Sequence, residues 1–192
     1  MATKTPEVRP ARERLLAAAN ELFYAEGVHT VGIDRVIERA GVAKATLYST
    51  FGSKDELIRA YLHGRHVFRR DRIMDGLERY ASPRQRLLGV FDVLGESFAE
   101  AGYHGCPFLN ASAEAAPGSP IIEVTDQFRS WVRALFTDLA RDAGASDPDA
   151  LARALHLLYD GASVSARMDR DPGAAAAARK VAVVLVDAAT TG

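Results

Sequence analysis

Cysteine is nearly missing from this chain: Cys106 is the only one in 192 residues, so no intrachain disulfide can form and a reducing compartment is the natural setting. Long apolar runs are missing too, since none approaches the roughly 20 residues that a bilayer-spanning helix needs. The N-terminal stretch MATKTPEVRPARER carries charge with no apolar segment behind it of the kind a secretory signal needs. A soluble cytoplasmic protein with no membrane partner is therefore expected. Metal and nucleophile signatures are likewise lacking. The histidines are His29, His63, His66, His104 and His156, and although His63 and His66 stand three apart and could share an ion, no carboxylate signature accompanies them. Neither an enzyme, a resident metal nor a cofactor is called for. Finally, no sustained alternation of apolar and polar residues bounded by turn signals occurs, which removes the usual mark of half-buried strands.

What recurs instead is apolar spacing of three and four, so the class is all-α. Nine helices are expected. The first covers 12–24 with Leu15, Leu16, Ala19, Leu22 and Phe23 on one stripe and Gly27 beyond its end. Two short helices follow, 33–40 stopped by Gly41 and 44–51 stopped by Gly52. Ser53 with Glu56 three residues on is a capping-box signature that opens a long fourth helix toward Leu77. Pro83 marks the fifth, a sixth contains Phe108, Leu109 and Ala113, and 121–143 forms the seventh. Asp147-Pro148 and Asp171-Pro172 start the last two, the latter ending near Ala189.

Two helices of about eight residues are too short to be stable alone and must pack as a helix-turn-helix braced by the first helix. Gly41 permits the sharp turn after the second helix because glycine accepts positive φ without cost, and Val42 plugs the core between the two. An ordinary helical hairpin has the same pattern. The third helix separates the readings: Lys44, Ala45, Thr46, Tyr48, Ser49 and Thr50 surround Leu47 and Phe51, and these are groups that fit a DNA groove. Lysine reaches guanine or phosphate, hydroxyls reach base edges or phosphates, and an alanine methyl meets a thymine methyl. The charge distribution agrees, with 13 basic against 9 acidic residues over 1–72 and 11 against 16 over 73–192. Lys4, Arg9, Arg12 and Arg14 are compatible with an arm reaching DNA or with a solvated tail, whereas Arg65, Arg69, Arg70 and Arg72 on the fourth helix read as a solvated face.

Residues 12–62, above all AGVAKATLYSTFGSKDEL, resemble the DNA-binding segment of the TetR (tetracycline-repressor-like) family of bacterial regulators. The resemblance implies an N-terminal helix-turn-helix domain over 1–52 and a helical effector-binding and dimerisation domain over 53–192. It further implies phosphate contacts from Tyr48 and Lys54, and base or flanking-phosphate contacts from Lys44, Ala45, Thr46 and Ser49. Two positions depart from the family pattern: Gly32 and Ala43 stand where hydroxyl caps of the second and third helices are usual, with Thr30 a possible substitute for the first. The function implied is a ligand-responsive repressor that leaves a pseudo-palindromic operator when a small molecule binds.

One recognition helix in one groove gives too little contact for operator affinity, so a homodimer is expected. Its interface is placed on the last two helices, on the stripes Leu151, Leu155, Leu158, Ala162 and Val181, Val184, Leu185, Ala188; an internal core face is the competing reading. The middle helices supply aromatic walls with a few polar groups for an effector pocket: Tyr103, Cys106, Phe108, Asn110, Glu114, Phe128 and Trp131. Each has a plainer reading as well, Cys106 as a small buried hydrophobe, Asn110 and Glu114 as backbone caps, Trp131 as core. The segment GCPFLNASAE, 105–114, resembles a loop and helix found in one branch of the family, near the contact between the two halves.

Overall fold

Local chemistry sets most helix ends in the computed structural model, which describes residues 9–113 and 115–190. Among them are nine α-helices and no strand: α1 (Ala11–Glu26), α2 (Ile33–Ala40), α3 (Lys44–Phe51), α4 (Lys54–Leu77), α5 (Pro83–Phe98), α6 (Pro107–Ser112), α7 (Pro120–Asp142), α8 (Pro148–Met168) and α9 (Ala174–Thr190). Pro83, Pro107, Pro120 and Pro148 each occupy the first turn, where a missing N–H costs nothing. Ser82 and Gln85 form a reciprocal capping box. At α4 only half of the expected box is used: Ser53 Oγ accepts from the Glu56 amide at 3.1 Å, while the Glu56 carboxylate turns to Arg59 at 2.7 Å.

Two expectations, on the start of α9 and on Thr30, are corrected. α9 begins at Ala174 and not at Pro172, because the Asp171 carboxylate accepts from the Gly173 amide at 2.8 Å and holds Pro172-Gly173 as a turn. α2 begins at Ile33 with Gly32 as its N-cap and no side-chain bond, so Thr30 does not take over the missing cap. α3 starts in the same uncapped way after Ala43, as the missing hydroxyl there implies.

The helices pack around one continuous apolar core running from Leu15 to Val186. α1, α2 and α3 close on each other and on the start of α4, which continues into the body against α5, α6 and α7; α8 lies between α7 and α9, and α9 also packs on α5. α4 thus belongs to both halves. Its crossing with α5 is tight: a Cβ on Gly76 would stand 2.5 Å from Val93 Cγ2, which only hydrogen there avoids. Among the described residues no helix is long and apolar enough to cross a membrane.

Candidate nucleic-acid interface and inner cavity

The turn between α2 and α3 is built as the glycine demands. Gly41 takes φ 62° and ψ 44°, the left-handed cap, and the backbone amides of Gly41 and Val42 turn back to the last carbonyls of α2. Arg14 on α1 completes it, donating from one guanidinium nitrogen to the Ala40 carbonyl at 3.0 Å and the Gly41 carbonyl at 2.8 Å. A cation placed on the unsatisfied carbonyls of a helix C-terminus opposes the helix dipole, so Arg14 is a clamp of the motif and not part of a DNA arm. Arg12 lies over the Phe51 ring at 5.5 Å, fixing α1 against α3. Arg9 is exposed, and Lys4 lies outside the described residues.

With Leu47 fully buried beneath it, α3 presents one outward face: Lys44, Ala45, Tyr48 and Ser49 are exposed and Thr46 is half-buried. Two of the hydroxyls are engaged locally, Ser49 Oγ donating to the Thr46 carbonyl at 3.1 Å and Thr50 Oγ1 to the same oxygen at 2.6 Å. Lys44 pairs with Asp34 of α2 at 3.0 Å, and that hydrogen bond raises its pKa, keeping the ammonium charged. Both partners are exposed, so the pair contributes little to stability and opens readily to a phosphate or base. Lys54, in the first turn of α4, is half-buried, and its burial lowers its pKa.

On α8 and α9 the sequence stripes divide. Leu151, Leu155 and Ala162 turn into the protomer's own core, as the competing internal reading required, with Leu158 half-buried. The outward stripe of α8 is one step out of phase: Leu157 is 73% exposed and Met168 76%, with exposed Gly161 and half-buried Val164 between them. On α9, Val181, Val184 and Ala188 are exposed and Leu185 is half-buried. Sequence reasoning missed Leu157 because Leu157 and Leu158 both fit helical spacing.

In the middle helices Phe108 and Phe128 stack with centroids 3.9 Å apart and planes 8° from parallel, and His66 stands edge-on to both and 5.8 Å from Trp131. Phe108 and Phe128 are buried in this aromatic cluster, with Trp131 half-buried beside them, and burial holds the His66 pKa down. Asn110 donates to the His104 carbonyl at 3.0 Å, which ties the loop before α6, and it also lines an open cleft of about 330 Å³ beside Tyr24 and His29. Glu114 lies outside the described residues. Of the expected pocket residues, Tyr103 lines a cavity, about 140 Å³, which it shares with Tyr24, Phe68 and the arginines Arg65, Arg69 and Arg72. These arginines are a correction: three of the four expected on a solvated face turn toward this space, and only Arg70 is exposed, paired with Asp71.

A turn-linked pair of short helices presenting a basic, hydroxyl-bearing face, set on an all-helical body, defines a helix-turn-helix DNA-binding regulator. Residues 15–61 match the family described as bacterial regulatory proteins, tetR family, and the chain belongs to that family. A solved TetR-family transcriptional regulator from Streptomyces coelicolor is 32% identical, with a TM-score of 0.87 over 94% of this chain and 96% of that one. A TetR-type regulator from Streptomyces avermitilis is 35% identical, with a TM-score of 0.83 over 94% of this chain and 98% of that one. The transcriptional activator FasR of Mycolicibacterium smegmatis is 32% identical over 137 residues, a match covering 69% of this chain and 60% of the activator's own length. The chain is accordingly a transcriptional regulator and not an enzyme, and regulators of this family bind operator DNA and dimerise.

Proposed function

We propose that the chain acts as a cytoplasmic, ligand-responsive repressor, a homodimer that sits on a pseudo-palindromic operator and leaves it when a small molecule enters the helical body. The observation that carries this reading is the outward face of α3, held by the Gly41 turn and the Arg14 clamp. In this reading residues 1–52 are the DNA-binding part and 53–192 the effector-binding and dimerisation part. Lys44, Ala45, Thr46 and Ser49 approach bases or flanking phosphates, and Tyr48 and Lys54 hold phosphates on either side. The dimer face is the exposed apolar surface of Leu157, Val181, Val184 and Ala188, with Leu158 and Leu185 at its margin; apolar side chains so open to water gain by pairing with a symmetry mate. The Gly105-Cys106 and Asn110 segment, which resembles one branch of the family, serves as the joint between α1 and the body. Tyr24 of α1 supports that assignment, since its hydroxyl donates to the Gly105 carbonyl at 3.3 Å and accepts from the His104 amide at 3.2 Å.

A gel shift of the purified protein on DNA from upstream of its own gene, titrated with salt, tests the reading. A discrete dimer-sized complex whose affinity falls steeply with salt is expected, because each neutralised phosphate releases counterions. Absence of binding to that and to random DNA at low salt overturns it. A reporter under the same upstream region, measured with and without the protein, distinguishes repression from activation.

A further inference from the structure

Deepening the effector reading above, and resting on it, we propose that the effector is a small organic carboxylate held by Arg65, Arg69 and Arg72 in the cleft that Tyr103 lines. The three arginines are spaced four and three apart on α4 and line the space between α1, α4, α5 and the loop before α6. The single carboxylate lining the same space is Glu100, and it is taken by Arg72. Among the described residues neither Arg65 nor Arg69 is ion-paired. Arg65 stacks on the Tyr24 ring at 3.8 Å, and its Nε is shut off from solvent with no hydrogen-bond partner among the described residues. Arg69 reaches the hydroxyl of the buried Tyr159 at 3.4 Å, and beside it stand Tyr103 and Cys106. Burial pushes the pKa values of Tyr103, Cys106 and Tyr159 up, so these neighbours are neutral and offer no counter-charge.

Guanidinium groups withdrawn from water without anionic partners are costly to keep, and an incoming anion removes that cost. The shape narrows the chemistry. A space of roughly 150 Å³ holds a benzene ring, and this partly open cleft, at about 140 Å³, sets Tyr24, Tyr103, Pro107 and the exposed Phe68 beside the arginines. Arginine forks match a planar carboxylate two-on-two, so the fitting ligand is a carboxylate on a ring-sized apolar body. The site is also wired to the DNA-reading half. Tyr24 belongs to α1, and the Arg65 stack on its ring is a direct tie between α1 and α4. A carboxylate that recruits Arg65 competes with that tie, which makes ligand binding and the α1 to α4 arrangement reciprocally coupled.

Calorimetric titration of the full-length protein, free of DNA, with benzoate and cyclohexanecarboxylate tests the proposal, with benzamide as the neutral counterpart and inorganic phosphate as the bodiless anion. At least one of the two carboxylates is expected to bind, with benzamide and phosphate weaker by about tenfold or more. Arg69→Gln should weaken carboxylate binding by about tenfold. Glu100→Gln, which frees Arg72 at the mouth, should tighten it severalfold, an improvement that no folding defect can mimic. Failure of both carboxylates to bind, equal binding of benzamide or phosphate, or Glu100→Gln weakening the interaction would overturn the assignment. So would unchanged affinity in a natively folded Arg69→Gln. These readouts do not involve DNA: a protein that binds its operator but neither carboxylate sinks the carboxylate assignment alone, whereas carboxylate binding without DNA binding sinks the operator reading.

Discussion

At the scale of single residues the proposed DNA-facing set separates into groups that position and groups that discriminate. Tyr48 is 45% exposed and Lys54 sits in the first turn of α4, geometries suited to phosphates on the groove walls. Tyr48→Phe and Lys54→Ala are therefore expected to weaken binding to every sequence by about 1 kcal/mol each, with Lys54→Ala also lowering the salt slope by about one. Thr46→Ala and Ser49→Ala should instead change the preference among operator variants while leaving the salt slope intact, which competitive gel shifts on a randomised half-site would read. Unchanged affinity and preference in all four would remove α3 from the DNA interface. The outward side of α3 was legible in the sequence because Leu47 and Phe51 fix which side of an eight-residue helix is left outside. The arginines of α4 were not legible. Charges at helical spacing read as a solvated face when nothing says what stands opposite, and here Tyr24, Tyr103 and Tyr159 arrive from α1, a loop and α8.

At the scale of elements, α2 and α3 are held by their surroundings more than by their own ends. Neither has a side-chain N-cap, and each is only eight residues long. At the C-terminal end of α2 Arg14 supplies two charge-assisted hydrogen bonds, and the exposed pairs of Arg35 with Glu26 and Arg39 with Glu21 also tie α2 to α1. Arg14→Met keeps the aliphatic stem and removes the donors; it should cost about 1.5 kcal/mol, the low end for bonds to a charged group because the site is partly exposed. Faster amide exchange concentrated in α2 and α3, with α7 and α8 unchanged, is the expected signature, and a uniform loss across all helices would show that Arg14 serves the general fold instead. Helix positions were readable from caps, prolines and glycines to within a few residues. Arg14's role was not, because it depends on a contact 26 and 27 residues away in the chain.

At the scale of the whole molecule, the phase of α8 decides what kind of surface the protein offers. Two stripes lie on that helix, offset by a residue or two: the inner one, with Leu151, Leu155 and Ala162, completes the protomer's core, and the outer one carries Leu157, Gly161 and Met168. Periodicity alone cannot rank two apolar stripes on one helix, since both fit a 3.6-residue repeat; only the position of α7 and α9 assigns one inward. The outer stripe and the exposed Val181 and Val184 of α9 then form an apolar face with no partner among the described residues. A double substitution, Leu157→Glu with Val184→Glu, places like charges at the centre of any self-paired interface while touching no buried residue. Each protomer should keep its melting behaviour at low concentration apart from the stability that association contributes. Sedimentation should show monomers, and operator affinity should fall by much more than the twofold expected from halving the number of reading heads, because two half-sites bound through one rigid body gain from effective concentration. A variant that stays dimeric would move the interface off α8 and α9. One that becomes monomeric yet binds the operator undiminished would mean that a single α3 suffices, and the pseudo-palindrome would lose its reason.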